Sequence, residues 1–448
     1  MIRKFVFLLG CLPLLTACGP EKAATYSAPV ANPADVATSY SEADYQDPSI
    51  PDSVLYDKIL GCLVGSAIGD AMGAPTEMWN QWAIRETYGY VDSLDILMRE
   101  ASPEGPWDIN LPAGAGTDDT RWKDLTAAWL IEMHGQRPAG HALELPAGAF
   151  AEYLTATYRR SIDRLRATAG EEPEPFEANM RQLSWLQEWA KVSRAYAAGD
   201  IDGYRDATAR FYGGEMACAG LLYTPLIGAV YPGRPEAAYA AAYELTIFDI
   251  GYARDVAAQA AALTAVAFSP GAELDSFTNV LRDVDPAGFF RSRLLGRVSY
   301  EHYKRARGIV RQARRITRDE ASAMSLNIPE KYPYDSLTFA RTRFAYEQLG
   351  RASQDVAFHA GEINLINLTA LLFSDLDFQR ALEFVTNYGR DNDTVGAVTG
   401  SILGAYHGYS NLPRGQRELV LRVNHEVLGI DLEARARVLW EELRKRRE

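Results

Sequence analysis

The sequence is short of soft metal ligands and of cross-links. Its 448 residues include four cysteines and six histidines. The cysteines, Cys11, Cys18, Cys62 and Cys218, are too few and too scattered for a disulfide framework. Cys62 and Cys218 lie in apolar runs and read as buried packing thiols, with a bridge between them left open. Positive charge is also scarce. Against 59 Asp and Glu stand 46 Lys and Arg, a net charge of −13, which argues against general nucleic-acid binding. No long Pro/Gly/Ser linker interrupts residues 54–448, and few stretches alternate like strands. Length alone would suggest two or three domains. The unbroken run favours one.

What is present is helical pattern. Alanine-rich amphipathic or apolar runs cover Trp122–Met133, Met180–Ala198, Met216–Val230, Ala237–Phe248, Val256–Phe268, Leu365–Phe373 and Leu376–Asn387. Arg417–Val427 and Leu432–Arg444 close the chain, parted by Gly429. The expectation is an all-α single domain over residues 54–448.

Residues 1–17 read as a targeting leader. Arg3 and Lys4 precede an apolar run, Phe5–Leu15, too short to span a bilayer. Leu15-Thr16-Ala17-Cys18 looks like a bacterial lipobox, so cleavage before Cys18 would leave that cysteine to be acylated. The alternative is an ordinary secretory signal. Gly19 rather than aspartate follows, which by resemblance predicts an outer-membrane anchor facing the periplasm or exterior. Residues 18–53, rich in Ala, Pro, Ser, Asp and Tyr, read as a tether.

Acid then clusters at both ends of the domain. Thr117-Asp118-Asp119-Thr120 sits between Gly116 and an amphipathic run, at a loop-to-helix junction. Such residues cap helix starts, which is the plain reading of this stretch alone. A second set, Gly389-Arg390-Asp391-Asn392-Asp393-Thr394, precedes the apolar run Val395–Tyr406. Facing each other, the two would offer only oxygen donors, suited to magnesium, manganese or calcium rather than zinc. A third stretch carries Gly61, Gly65, Gly69 and Gly73, one smooth helical face, with Asp70 inside it and Glu77 just past Pro75.

These three stretches together resemble the ADP-ribosylglycohydrolase family. Gly69 to Glu77 matches its Gly-Asp-Ala-x-Gly-x-Pro-x-Glu helix. Thr117 to Thr120 matches its Thr-Asp-Asp-Thr motif. Gly389 to Thr394, with Gly400, Gly404 and Ala405, matches its late acidic motif. The resemblance implies a compact orthogonal helical fold and a pair of magnesium or manganese ions held by Thr117, Asp118, Asp119, Asp391, Asp393 and Thr394. It implies hydrolysis of the glycosidic bond in an ADP-ribosyl conjugate or a related small riboside. Glu77 and Asp118 or Asp119 would position water or the leaving group. Asp70 stands between a site role and a packing role, in which it hydrogen-bonds the neighbouring loop. The middle of the chain departs from the pattern. Gly213-Gly214-Glu215-Met216-Ala217 lacks the arginine that usually ends this stretch, and Ile247-Phe248-Asp249 stands where a Ser/Thr-His pair is usual. Two other functions stay open at this point: a non-catalytic binding member of the fold, and a metal phosphohydrolase.

Two further regions stand out. Residues 79–113 hold Trp79, Trp82, Tyr88, Tyr90 and Trp107, and either rim the site or pack as an ordinary loop. Residues 288–318 crowd ten basic side chains, Arg291 to Arg318, which read as a solvated helix face or as an anion site.

Overall fold

Four glycines set the first contact of the fold. In the computed structural model, which describes residues 50–98, 110–136, 143–168 and 185–445, they lie along one side of helix α1, Asp52–Gly73. That side meets the glycines of α16, Asn392–His407, running antiparallel. A methyl group added at Gly69 would sit 1.9 Å from the Gly396 carbonyl oxygen, and one at Gly65 would sit 2.3 Å from that of Gly400. No other residue permits backbones this close. The interlock brings the C-terminal end of α1 to the N-terminal end of α16, and both acidic stretches with it. α1 is apolar and long enough to cross a membrane, but 94% of its most apolar window is buried inside the protein, so it is a core helix here.

The other helices wrap this pair. After α1 come α2 (Gln81–Tyr88), α3 (Asp118–Gln136), α4 (Ala147–Thr168), α5 (Gln187–Ala197) and α6 (Ile201–Thr208). α7 (Thr224–Ala229), α8 (Pro235–Leu245) and α9 (Ala253–Ala267) form an alanine-rich layer that also packs on α16. Alanine's small side chain lets these helices sit closely, and every residue of α9 but Arg254 is buried. α10 (Leu274–Asp283), α11 (Val298–Arg315), α12 (Arg318–Ala323) and α13 (Ser336–Gly350) form the outer side. α14 (Ala360–Phe373) and α15 (Phe378–Tyr388) lead into α16. α17 (Arg414–Val423) runs into a π-helical turn, stops at Gly429 with φ +68°, and gives way to α18 (Leu432–Arg444). The strand content of the described residues is one antiparallel pair of two-residue strands, Leu97–Met98 against Asn110–Leu111. The fold is all-α.

Two expectations change and one open alternative closes. Met216–Val230 is not one helix but a tight turn at Ala219–Leu222 followed by α7. Pro225 lacks an amide donor, and the stretch begins by pairing its backbone with the 358–360 loop, through Cys218 N donating to Phe358 O. The basic region 288–318 is not uniformly solvated. Arg297 is 2% exposed and bonds to Asp255, while α11 buries Tyr303, Ala306, Ile309 and Val310. Cys62 and Cys218 are both free and buried, so the bridge left open is not made. Trp107, Met180 and the leader with Cys18 lie outside the described residues.

Candidate active site

The helix that carries the Asp-Asp pair is capped from outside. Asp70, on α1 and fully buried, accepts hydrogen bonds from the backbone amides of Thr117 and Thr120. It also accepts from both threonine hydroxyls. Asp70 therefore fills the packing role and fixes the start of α3. Asp118 and Asp119 are thereby relieved of most capping duty. Asn424, in the π-helical turn, holds the preceding loop: its Oδ1 accepts from Gly116 N, and its Nδ2 donates to Gly114 O.

The two acidic motifs meet directly. Thr394 Oγ1 donates to Asp119 Oδ2 at 3.1 Å across 275 residues of sequence. The other oxygen of Asp119 takes the Lys123 ammonium at 3.2 Å, one turn along α3, and both side chains are almost wholly buried. Both Asp119 oxygens are thus engaged within the protein, which suits it to orienting Thr394. Around them, Glu77, Asp391 and Asp393 bring carboxylate oxygens within 4.8 Å of one another, all buried. Asp118 is partly exposed, and it and Asp391 both act on the phenol of Tyr212. Sequence reading set Glu77 outside the two metal clusters. The fold places it inside the second, because Met78 N donates to Arg390 O and Arg390 N donates to Trp79 O, tying the two loops edge to edge.

Electrostatics shows what this cluster lacks. Burial first, then Asp393 and Asp119, hold the Asp391 carboxyl well above the usual range. Burial, Glu77, Asp119 and Asp70 do the same to Asp393, whose Oδ1 has no hydrogen-bond donor among the described residues. Asp70 is pushed up to about 7 by burial and Asp119, against the bonds it accepts. Crowded carboxylates without a counter-charge keep protons, or else take a cation. Three converging oxygen ligands with an orphaned Asp393 oxygen fit a hard divalent ion. Thr117 and Thr394 donate their hydroxyl protons to Asp70 and Asp119, and although Thr117 Oγ1 also accepts from Asp119 N, each hydroxyl keeps acceptor capacity.

Several contributors escaped the sequence. Lys123 was hidden in a run read only for its apolar face, although acid and base four residues apart are a legible signal. Asn424 and the Arg390–Glu362 pair, with Nε to Oε1 at 2.6 Å, act across the fold and leave no local trace. Cys218 proves to be a site neighbour, its Sγ 3.8 Å from Asp391 Oδ2, with burial and that acid holding the thiol well above its ordinary range. Tyr212 adopts a left-handed backbone, φ +45°, rare for a bulky residue. Its ring packs on Trp189, Phe211 and Phe358, and its phenol is raised by burial and by Asp118. This is the loop where the family's arginine is missing. Trp79 borders the site, while Tyr90 turns away and donates to Glu383.

Over residues 51–448 the sequence matches the family model described as ADP-ribosylglycohydrolase. The chain belongs to the ADP-ribosylglycohydrolase family. "Uncharacterized protein YegU" of Escherichia coli (strain K12) is 32% identical over 84 residues, 18% of this chain and 23% of that protein. The chain thus spans about a quarter of that curated relative's length. A solved "ADP-ribosylglycohydrolase-related protein complex" aligns with 87% of this chain and 99% of its own at 18% identity, with a TM-score of 0.47. The assignment rests on the family match. In this member of the family, the helical framework of α1, α3 and α16 is what gathers the acids.

Proposed function

We propose that this chain is a divalent-metal-dependent hydrolase of a ribosyl glycosidic bond, most directly that of an ADP-ribosyl conjugate. The observation that carries the reading is the meeting of the motifs: Thr394 on Asp119, with Glu77, Asp391 and Asp393 within one ligand's reach. A magnesium or manganese pair, when bound, would hold ribose hydroxyls and lower the pKa of a bound water. Glu77, Asp391, Asp393 and Thr394 would hold one ion, and Thr117 and Asp118 the other. Asp119, clamped by Lys123, keeps Thr394 in register. Asp118, partly exposed, would orient water or accept its proton, and nearby carboxylates would favour the positive charge that develops at the anomeric carbon. Tyr212 and the 213–217 loop border the site without the usual arginine, which leaves room for a smaller riboside. On this reading Cys18 carries the lipid that tethers the enzyme in the envelope.

The test is turnover of ADP-ribosyl-arginine, ADP-ribosyl-serine and simple ribosides with added magnesium or manganese, read by product mass. Release of free ADP-ribose or ribose supports the reading, and release of inorganic phosphate replaces it with a phosphohydrolase. Glu77→Gln should weaken metal binding roughly tenfold as well as slow turnover, since it sits among the ligands. If no conjugate or riboside turns over and Glu77→Gln changes nothing, the protein is a non-catalytic binder.

A further inference from the structure

An exposed apolar tip adjoins a basic stripe on the outer side of the molecule. Leu294 is 100% exposed and Leu295 is 76% exposed, in the loop between α10 and α11. The loop is held rigidly at its base. Asp285 accepts the amides of Phe289 and Phe290, while buried Arg297 donates to Val284 O and to Asp255. Leu294, at φ +76°, and Gly296, at φ +65°, turn the tip outward. A clamped loop that presents two leucines to water costs apolar exposure with no structural return.

The tip continues into α11 through aromatic contacts. Phe290 meets Tyr300 at 5.3 Å, and Tyr300 meets Tyr303 at 5.7 Å. Tyr300, Lys304, Arg307, Arg311 and Arg314 follow at spacings of four and three, one stripe of the helix. Beside it lies a groove of about 530 Å³, to which α10 adds Arg282. Not all of this charge is available. Asp275 also lines the groove, Arg282 pairs with Asp283, Arg314 with Asp375, and Lys304 with Glu301. Arg307 and Arg311 make no ion pair with the described residues.

We propose that this face docks on an anionic phospholipid surface, with Leu294 and Leu295 entering below the headgroups and Arg307 and Arg311 meeting lipid phosphates. A soluble phosphate would use the arginines but has no use for the leucines. A bilayer interface uses both, and the local charge of Arg307 and Arg311 favours an anionic surface, while the net charge of −13 keeps the rest of the molecule off it and so orients this face toward the lipid. The face lies apart from the acid cluster, and the proposal stands independently of the reaction.

The test uses the full chain carrying Cys18→Ser, so that acylation plays no part, in cosedimentation with vesicles. The leader contributes equally to every variant, so the reading is the ratio of parent to variant affinity. On phosphatidylglycerol vesicles, Arg307→Gln with Arg311→Gln should lower affinity on the order of 25-fold, from roughly fivefold for each charge removed near such a surface. On phosphatidylcholine the same pair should give a ratio near one. Leu294→Ser with Leu295→Ser should lose about tenfold or more on phosphatidylglycerol. Melting temperature and manganese binding should be unchanged in both variants, since all four side chains are exposed. Ratios near one for both variants on phosphatidylglycerol overturn the proposal. So does equal loss on neutral vesicles for the arginine pair. A self-association that the leucine variant abolishes, without vesicle binding, would assign the face to a second copy of the chain instead.

Discussion

Two buried carboxylate sites in this molecule are built on opposite principles. Asp255 is fully buried and answered from within: Arg297 reaches both of its oxygens, Ser299 Oγ donates to one and Tyr239 OH to the other. Asp391 and Asp393 are as deeply placed, yet their strongest neighbours are other acids. Asp119, with Lys123 on one oxygen and Thr394 on the other, stands between. The first site is complete as folded and reads as structural. The second has no counter-charge among its nearest neighbours and must keep protons or take a cation, a pattern of functional sites rather than of cores.

The contrast can be broken from the structural side first. Arg297→Met should cost about 3–5 kcal/mol, because Asp255 would be left charged and buried without its partner. Chemical denaturation would read this loss, and added manganese should not repair it. A second strong effect falls on the framework that unites the acids. Gly69→Ala would press a methyl group onto the Gly396 carbonyl, so about 3 kcal/mol should be lost, together with metal affinity, as α1 and α16 part.

A smaller effect sharpens the contrast through pH. Asp70 is pushed up to about 7, and Asp391 and Asp393 lie well above the usual carboxylate range. Unfolded carboxyls titrate near about 4. Between about pH 4 and 7 the metal-free fold therefore keeps protons that the unfolded chain has released, so its stability falls as pH rises through that window. A salt-bridged acid would give the opposite slope. An ion must displace the same protons, so the rise in melting temperature on adding manganese should be larger at pH 8 than at pH 5. A metal-induced shift that is equal at both would contradict this assignment of charge.

Much of this was legible before the fold was known, and the residues show why. α18 begins at Leu432 and ends at Arg444, as its pattern and Gly429 indicate. α9 and α16 read clearly because small and apolar residues dominate them. Glycine spacing announced the close face of α1, though not that Gly404, Gly400 and Gly396 of α16 would answer Gly61, Gly65 and Gly69. Helix α13 escaped notice because charged and aromatic residues interrupt its apolar face, and α11 was legible only as a solvated basic face, its buried side of Tyr303, Ala306, Ile309 and Val310 hidden among the arginines. At the site, the motifs named the acids but not their supports. Lys123, Asn424 and the Arg390–Glu362 pair act through partners that only the folded chain brings near, and Asp70 showed its role only when four donors converged on it.

The most direct measurement is the melting temperature of Asp393→Asn beside the parent protein, at pH 8, in chelator and in saturating manganese. If the acid cluster is a cation site, the parent should gain stability with manganese and the variant should gain almost none. In chelator the variant should be the more stable of the two by roughly 1–3 kcal/mol, because a buried repulsion has been removed. A variant that is less stable than the parent in chelator, with a parent indifferent to manganese, would show that Asp393 is a structural acid like Asp255 and would contradict the account.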